Sequence, residues 1–567
     1  MQIKILKGTD EIGGSCVKLS TANTTILIDY GTPLSDDSIA PVINDEKIDA
    51  ILISHPHQDH YGQIVNIDKS IPVYCGKLSL DLMNATRIFT GHNLMDNNFY
   101  HFESWKQFSI GDFTITPYLV DHSATDAYAF LIEAKGKRVL YSGDFRANGR
   151  KAKLFDRMLE EKALKDLDVL LMEGTMIQRD NGEFKTESDV EDKIYETIKE
   201  SDLISFMIGS SQNIDSLVSA FRACVKTNKT FVIDIYTAWI LENIKKVSSG
   251  TMNLDFKNVR VYKPTFKTGG GQFGKVKDNQ EYFKNFKFKI FHKENIIELD
   301  EIKQNPSKYF IKCSPWYIEN ILEAVEKEKA NIIYSQWLGY LKEEFSDERT
   351  ARLFANLQLS HNWIYSHTSG HADLDTLKIF ANALSPKKLI PIHTEYKEDF
   401  EKHFENVVML EDKDLLDLEH NTITKYIEFE HVYEDSYNDL KIVDLIDFKA
   451  DTVDPYLDVL NSTEHFTLKD DTLTLKYNDY EDSIKSKNLV GFKIDSVEVK
   501  LSEDVGYGAF KETDVTADLI GENEFNGFNM DEANRLHECI ESEHDCSYVD
   551  SYSFIVNLEV KLEKDLH

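Results

Sequence analysis

Short apolar runs recur along the first 180 residues, and each ends on a polar or turn-forming residue. The runs lie at 25–29, 50–54, 138–144 and 169–173. Their length and composition predict buried β-strands. Because a buried strand can hold a polar group at its exposed end, we expect functional side chains at these strand ends.

The periodicity changes at about residue 185. Apolar residues recur with helical spacing over 188–200 and 213–226, and 230–234 is a strand-like run between helices. This alternation predicts an inserted α/β domain that continues to about residue 355. The first pattern then resumes, with strands at 363–366 and 388–392 and a helix at 374–383.

After about residue 415 apolar positions alternate among frequent Asp, Asn and Thr, which predicts a mainly β accessory domain. We therefore predict a first domain in two parts, 1–183 and 356–412, an insert at 184–355 and an acidic C-terminal domain at 413–567. A chain of 567 residues is long enough for several such cores.

The net charge of -34 is unevenly distributed. Residues 411–567 hold about 40 acidic and about 14 basic residues, so a polyanion could approach the first 410 residues more easily than this segment. No apolar run has the roughly 18 residues that a membrane span needs. Residues 1–7 alternate like a strand and lack a signal-peptide core, so we expect a cytoplasmic protein without membrane contact.

Six cysteines are spread over the chain, which is too few for a disulfide framework. We expect Cys16, Cys75, Cys224 and Cys313 to be buried thiols. Near the C-terminus a His-x-Cys pattern occurs twice, at 537–539 and 544–546. It could form a structural zinc site or be incidental.

Four residues with metal-binding side chains follow the strand 50–54 within one short loop: His55, His57, Asp59 and His60. Two histidines two positions apart can share one metal, and the Asp and His that follow can turn toward a second. Neutral imidazole and carboxylate suit Zn²⁺ or Mn²⁺. A chance surface cluster is the alternative, and the buried strand before the loop argues against it.

This motif resembles that of metallo-β-lactamase-fold hydrolases, and the family's other pieces follow in order: Asp29, His122 in 120–124 and Asp144 in 142–144. Later motifs resemble the β-CASP branch, which acts on RNA or DNA: Glu173 in 172–175, His371 in 369–372 and His393 in 391–395. Residues 366–395 are most similar to the ribonuclease J group, and 11–16 also resembles this branch. The resemblance covers about residues 1–410 and does not extend to the C-terminal segment.

The resemblance implies an α/β protein: a metallo-β-lactamase αββα sandwich, an inserted β-CASP α/β domain and a mainly β C-terminal accessory domain. It also implies two divalent metal ions, with Zn²⁺ expected and Mn²⁺ as the alternative. One ion takes His55, His57 and His122, the other takes Asp59, His60 and His393, and Asp144 bridges them. His371 would face the phosphate, while Asp29 and Glu173 would orient histidines.

Substrate contacts are harder to assign from the sequence. The turn with Ser210, Ser211 and Asn213 could offer hydroxyls and backbone N–H groups to a phosphate, or it could be a plain helix cap. Ser369 and Gly370 precede His371 and are further candidates. Residues 257–293 interleave lysines with aromatics, which is typical of a single-strand-binding surface and also of a half-buried strand.

The leading hypothesis is a metal-dependent nuclease of single-stranded RNA, with exonuclease and endonuclease modes both open. A DNA nuclease of the same family is the near alternative, since no assigned residue would contact a 2′-hydroxyl. Two other hypotheses are a hydrolase of small esters and a non-catalytic scaffold subunit. The insert argues against the first, because a small substrate would not require it. The full set of ligand residues argues against the second, because a scaffold would not require them. The acidic C-terminal domain could mediate a homodimer or bind a protein partner, or simply be a solvated surface.

Overall fold

The computed structural model describes residues 1–35, 38–43, 47–180, 182–264, 271–284, 286, 290, 292, 294–326, 328–342 and 347–436, and the later strand segments 466–469, 472–477, 480–485, 493–504, 510–514 and 551–566. The chain divides into two compact units. The first comprises Met1 and Ile5–Asp412, and the second comprises Gln2–Lys4 and Lys413–His567.

The first six strands lie in one sheet, in which they follow one another in chain order. They are β1 (Gln2–Lys7), β2 (Cys16–Ser20), β3 (Thr25–Ile28), β4 (Ala50–Leu52), β5 (Pro72–Cys75) and β6 (Asn98–His101). From β3 to β6 neighbouring strands are parallel. The short helix α1 (Gln58–Tyr61) and the helix α2 (Lys77–Thr90) add Tyr61 and Met83 to the core on this sheet.

A second sheet begins with five strands: β7 (Phe108–Ile110), β8 (Phe113–Val120), β9 (Ala127–Ala134), β10 (Lys137–Tyr141) and β11 (Val169–Glu173). The helix α3 (Lys153–Glu160) lies between the last two in sequence. β7 to β10 are antiparallel neighbours, whereas β10 and β11 run parallel. All residues of β11 are buried, which explains its uninterrupted apolar sequence.

The insert is a seven-stranded parallel sheet with the order β15-β14-β13-β16-β12-β17-β18. Its strands are β12 (Ser205–Gly209), β13 (Thr230–Ile233), β14 (Val259–Lys263), β15 (Ile296–Glu298), β16 (Tyr309–Lys312), β17 (Asn331–Ser335) and β18 (Asn362–Tyr365). Its helices are α4 (Glu187–Ile198), α5 (Ile214–Lys226), α6 (Ile235–Lys245), α7 (Gln272–Asp278), α8 (Leu299–Gln304), α9 (Pro315–Ala324) and α10 (Glu348–Ser360).

Side-chain caps set the start of several insert helices. Thr186, Asn213, Asp234 and Asp347 each accept a hydrogen bond from a backbone N–H in the first turn of the helix that follows. These bonds satisfy N–H groups that have no partner within the helix. The predicted helices 188–200 and 213–226 correspond to α4 and α5.

The chain then returns to the second sheet through the helix α11 (Leu374–Leu384) and the strand β19 (Leu389–Ile392), which pairs parallel with β11. Leu377 and Phe380 of α11 pack with Phe155 of α3 in one apolar core. The strand predicted at 363–366 is β18, which pairs with β17 and so belongs to the insert sheet, beyond the expected end of the insert at 355. Apolar alternation predicts a strand but not which sheet it joins.

The described part of the second unit is built from strands. They are β20 (Leu415–Asp417), β21 (Thr422–Ser436), β22 (Phe466–Lys469), β23 (Thr472–Tyr477), β24 (Tyr480–Lys485), β25 (Lys493–Asp504), β26 (Phe510–Asp514) and β27 (Ser551–Asp565). β21 and β25 flank β27 with antiparallel pairing. The prediction of a mainly β accessory domain is confirmed for these segments. The residues of the paired His-x-Cys pattern lie outside the described residues.

Two further predictions can be compared with the structure. Cys16, Cys75, Cys224 and Cys313 are buried and unpaired, as expected. Among the helices of the described residues, none combines the length and the apolar character that a bilayer span requires.

Candidate metal centre

Loops that follow neighbouring strands bring the predicted ligands together. Asp29 follows β3, the loop 55–60 follows β4, His122 follows β8, Asp144 follows β10 and His393 follows β19. Apart from Asp29, these histidines and acids form overlapping groups, and within each group the ligand atoms lie within 4.8 Å of one another. The candidate ligands therefore lie where the strands end, as the apolar runs predicted.

The first group is His55, His57 and His122. The Nδ1 atom of His57 lies 3.1 Å from Nε2 of His55 and 3.3 Å from Nε2 of His122. Burial lowers the pKa of all three imidazoles. They are therefore neutral near pH 7 and can each offer a lone pair to a cation.

The second group is Asp59, His60 and His393. The Oδ2 atom of Asp59 lies 3.7 Å from Nε2 of both histidines. These two Nε2 atoms are buried and make no hydrogen bond within the described part of the chain. A buried polar atom without a partner is costly, and a bound cation would satisfy both nitrogens.

Asp144 lies between the two groups. Its Oδ2 atom is 3.2 Å from Nε2 of His60, 3.6 Å from Nε2 of His393 and 3.7 Å from Nε2 of His55. Burial alone would raise the pKa of this carboxyl, but the charges of His393 and His60 outweigh it and hold the pKa well below the usual range. Asp144 is therefore a carboxylate that can reach ligands of both groups.

Hydrogen bonds fix the ring orientations of the ligands. Nδ1 of His60 lies 2.7 Å from Oδ2 of Asp29, and Nδ1 of His393 lies 2.8 Å from Oγ of Ser15. Nδ1 of His122 lies 2.6 Å from the carbonyl oxygen of Gly370. In each case the partner occupies Nδ1 and leaves Nε2 for a metal, which is the usual arrangement of metal-binding histidines.

Asp29 is itself fixed by three donors. The Ser54 backbone N–H, the Ser54 hydroxyl and the Tyr141 hydroxyl each donate to its carboxylate at 2.7 Å. Asp29 also adopts a left-handed backbone conformation with φ of 60°, and His393 does so with φ of 51°. Such conformations are unfavourable for non-glycine residues and persist where surrounding contacts hold them, often at functional sites.

The ligand loop 55–60 packs tightly against Gly31. A Cβ atom at this position would overlap the backbone carbonyl of Asp59. The absence of a side chain therefore lets the loop approach β3 closely enough for Asp29 to reach His60.

His371 and Glu173 form a pair at the edge of the centre. Nδ1 of His371 lies 3.1 Å from Oε2 of Glu173 and 3.8 Å from Oδ2 of Asp144. Burial lowers the pKa of His371, but the two carboxylates outweigh it and raise the pKa to about 9. His371 therefore carries a proton at neutral pH, and its side chain keeps 20% of its surface exposed.

Arg146 is a residue that the sequence did not single out. It is completely buried, and its guanidinium contacts three carboxylates: Asp121 at 3.4 Å, Glu187 at 3.3 Å and Asp215 at 2.7 Å. It also donates to the carbonyl oxygen of Ser369 at 3.0 Å. Arg146 thus connects the segment of His122, two helices of the insert and the loop of His371. A buried ion cluster leaves no periodic pattern that would reveal it.

The predicted substrate contacts occupy different environments. Ser211 is buried and hydrogen-bonded to Thr237 at 2.9 Å, while Asn213 is the cap of α5. Ser210 is exposed after β12. Ser369 and Gly370 lie in the loop before His371, where their carbonyl oxygens bind Arg146 and His122.

Several aromatic residues described in the basic stretch 257–293 belong to the core. Tyr262, Phe283 and Phe286 are buried. Arg260 and Lys263 make contacts with acidic residues of the insert. These aromatic side chains therefore belong to the core, as the alternative expected, but only Tyr262 lies in a strand, whereas Phe286 lies in a helical segment.

Two family models match the chain. Residues 24–200 match the Beta-lactamase superfamily domain, and residues 364–410 match the Zn-dependent metallo-hydrolase RNA specificity domain. Together the matched segments contain every residue of the two ligand groups, Asp144, Glu173 and His371.

Several known proteins are similar to this chain. Ribonuclease J of Helicobacter pylori is 24% identical over 70% of this chain and 56% of its own length. An RNase J-like protein of Methanocaldococcus jannaschii is 26% identical over 41% of this chain and 58% of its own length. The chain thus spans little more than half the length of these relatives.

A solved structure shares the fold. A protein of unknown function from Enterococcus faecalis superposes with a TM-score of 0.58 at 18% identity, covering 73% of this chain and 99% of that one. This likeness concerns the fold alone. Together with the two family models and the relatives, this structural similarity confirms the predicted metallo-β-lactamase α/β fold class. The chain has the metallo-β-lactamase fold and resembles ribonuclease J.

Proposed function

We propose that the chain is a two-metal hydrolase that cleaves phosphodiester bonds of single-stranded RNA. The observation that carries this proposal is the pair of ligand groups with Asp144 between them, in which Nε2 of His60 and Nε2 of His393 are buried and make no hydrogen bond among the described residues. The match of residues 364–410, which contain His371 and His393, to an RNA specificity domain favours RNA as the substrate. So do relatives named ribonuclease J.

The residues present fit two divalent cations. His55, His57 and His122 would hold one, while Asp59, His60 and His393 would hold the other, with Asp144 contributing to both. A set of imidazoles and carboxylates favours Zn²⁺, and Mn²⁺ is the alternative. When bound, two such cations polarise a phosphodiester and lower the pKa of an attacking water.

His371 supplies the proton that the reaction needs. Hydrolysis forms a bond from a water oxygen to phosphorus, with loss of a water proton to solvent, and breaks the bond from phosphorus to the 3′ oxygen, which must gain a proton. Glu173 holds the ring through Nδ1 and keeps it charged, which leaves Nε2 to donate to the departing oxygen or to a phosphate oxygen. The products are a 5′-phosphate and a 3′-hydroxyl.

The loop of Ser369 and Gly370 would place His371 over the substrate. Arg146 and His122 bind the carbonyl oxygens of this loop, so its position is coupled to that of a metal ligand. Exposed Ser210 stays a candidate phosphate contact, whereas Ser211 and Asn213 are engaged within the insert. A cytoplasmic location, and a homodimer or protein partner bound through the acidic C-terminal domain, stay predictions from sequence.

A cleavage assay tests this function. The metal-free protein is supplied with Zn²⁺ or Mn²⁺ and given 5′-monophosphorylated single-stranded RNA, with DNA of the same sequence in parallel. Strands labelled at the 5′ or the 3′ end distinguish exonuclease from endonuclease cleavage. We expect metal-dependent cleavage of RNA, and its loss when Asp59→Ala is combined with His60→Ala.

Asp96→Ala combined with His92→Ala is the matched control, since it removes an exposed acid and an exposed histidine from the same domain. It should cleave like the wild type. If the metal-loaded wild type leaves RNA of every end type intact, the proposed function is wrong. Cleavage of DNA in preference to RNA would move the proposal to the DNA alternative.

A further inference from the structure

The loop between β8 and β9 carries a hydroxyl group beside the first ligand group. Ser123 follows His122 in this loop, and its side chain is half-buried. The Oγ atom of Ser123 lies 3.4 Å from Nε2 of His122. A serine hydroxyl is therefore in contact with the nitrogen that a metal ion would take.

The position of the ring proton decides which atom donates in this contact. Nδ1 of His122 lies 2.6 Å from the carbonyl oxygen of Gly370, which can only accept, so Nδ1 carries the proton. A metal-binding imidazole is neutral, so Nε2 has the lone pair and accepts from the Ser123 hydroxyl. A cation bound to Nε2 would use the same lone pair. The Ser123 hydroxyl would then lose this acceptor, and its proton would be available to a substrate at the metal centre.

Ser123 also contacts the loop that carries His371. A Cβ atom at Gly370 would overlap Oγ of Ser123, so the hydroxyl packs directly against the backbone of this loop. The rings of His122 and His371 meet edge to face, with their centroids 5.1 Å apart. The hydroxyl thus lies between a candidate metal ligand and the loop of the proposed proton donor.

Polar contacts hold the loop of Ser123 at both ends. Before it, the carboxylate of Asp121 binds the buried guanidinium of Arg146 at 3.4 Å. After it, the carboxylate of Asp126 accepts a hydrogen bond from the backbone N–H of Ser79, at the start of α2, at 2.7 Å. A hydroxyl on a loop that is fixed in this way is already oriented, which lowers the entropic cost of aligning it with a substrate.

We propose that the hydroxyl of Ser123 donates a hydrogen bond to a non-bridging oxygen of the phosphate that is cleaved. The inference rests on the proposed function and adds a catalytic residue to it. A donor that is held in place beside the metals stabilises the negative charge that grows on this oxygen in the transition state. A hydroxyl suits this position because it brings no positive charge that would repel the cations.

Binding of inorganic phosphate to the metal-loaded full chain tests this contact without RNA. Isothermal titration calorimetry gives the Kd of the wild type and of Ser123→Ala. We expect Ser123→Ala to weaken phosphate binding about tenfold, as loss of a hydrogen bond to a charged group predicts. Ser20→Ala is the control and should bind like the wild type. Ser20 is also half-buried, but it pairs with Thr25 at the start of β3, at the opposite end of that strand from Asp29.

Metal affinity distinguishes a contact with phosphate from support of His122. Competition with a chelator should give the same metal affinity for Ser123→Ala and the wild type. At saturating metal, kcat for RNA cleavage should fall about 100-fold in Ser123→Ala, as removal of one such donor predicts, with a smaller change in KM. A lower metal affinity combined with a wild-type kcat at saturating metal would mean that Ser123 only orients His122, and would overturn the inference.

The two measurements also separate this inference from the proposed function. RNA cleavage by the wild type that Ser123→Ala matches, with equal phosphate affinity, would overturn the inference and leave the proposed function standing. Phosphate binding that depends on Ser123, in a metal-loaded wild type that leaves RNA intact, would support the contact and contradict the proposed function. A metal-loaded wild type that neither binds phosphate nor cleaves RNA would overturn both.

Discussion

Removal of the buried guanidinium of Arg146 should destabilise the first unit strongly. In Arg146→Met the carboxylates of Asp121, Glu187 and Asp215 lose the cation that they share. Breaking a buried ion pair from one side costs about 3–5 kcal/mol. Each carboxylate keeps another hydrogen-bond donor, so we expect the lower end, about 3 kcal/mol.

This loss should depend on pH. Burial raises the pKa of both Asp121 and Glu187, even though Arg146 opposes the shift. Without Arg146 both pKa values rise further. A carboxyl whose pKa is higher in the folded state stabilises that state at low pH and loses this contribution as the pH rises. The difference in stability between Arg146→Met and the wild type should therefore be larger at pH 8 than at pH 5.

Urea unfolding of the full chain, analysed over its first cooperative transition, measures this difference. Arg352→Met is the matched control, because Arg352 pairs with Glu348 on the exposed face of α10 and such surface pairs contribute little. Arg146→Met should also bind metal more weakly, since Arg146 holds the loop whose Gly370 orients His122. A change in unfolding free energy no larger than that of the control would refute the account of this cluster.

Two further predictions concern residues that orient the histidines. Asp29→Asn should lower metal affinity about 10–100-fold, because the ring of His60 loses its carboxylate partner. Competition with a chelator measures this affinity. Asp112→Asn is the control and should leave the affinity unchanged, because Asp112 is exposed. Glu173→Gln should lower the pKa of His371 from about 9 in the metal-free protein, which NMR titration of its ring protons measures. An unchanged pKa would mean that Glu173 does not keep His371 charged.

The strands, helices and ligand residues were accessible from the sequence for local reasons. β3, β4, β10 and β11 are short buried runs, and a strand of this kind has a composition that can be recognised without knowing its neighbours. The candidate ligands His55, His57, Asp59 and His60 follow such a run within one loop. Their distant partners, His122 and His393, required the order of motifs in a known family.

Contacts between distant polar residues could not be predicted in this way. Ser15 orients His393 across most of the chain, and Arg146 collects carboxylates from three separate segments. A buried polar contact depends on the folded topology rather than on any local spacing.

A titration of the metal-free chain with Zn²⁺ or Mn²⁺ tests the central claim most directly, when bound metal and RNA cleavage are measured in the same samples. Cleavage should appear as metal binds and reach its maximum at two ions per chain, and Asp144→Ala should reduce both binding and cleavage. Full cleavage of RNA by a chain from which a chelator has removed all metal would contradict the account.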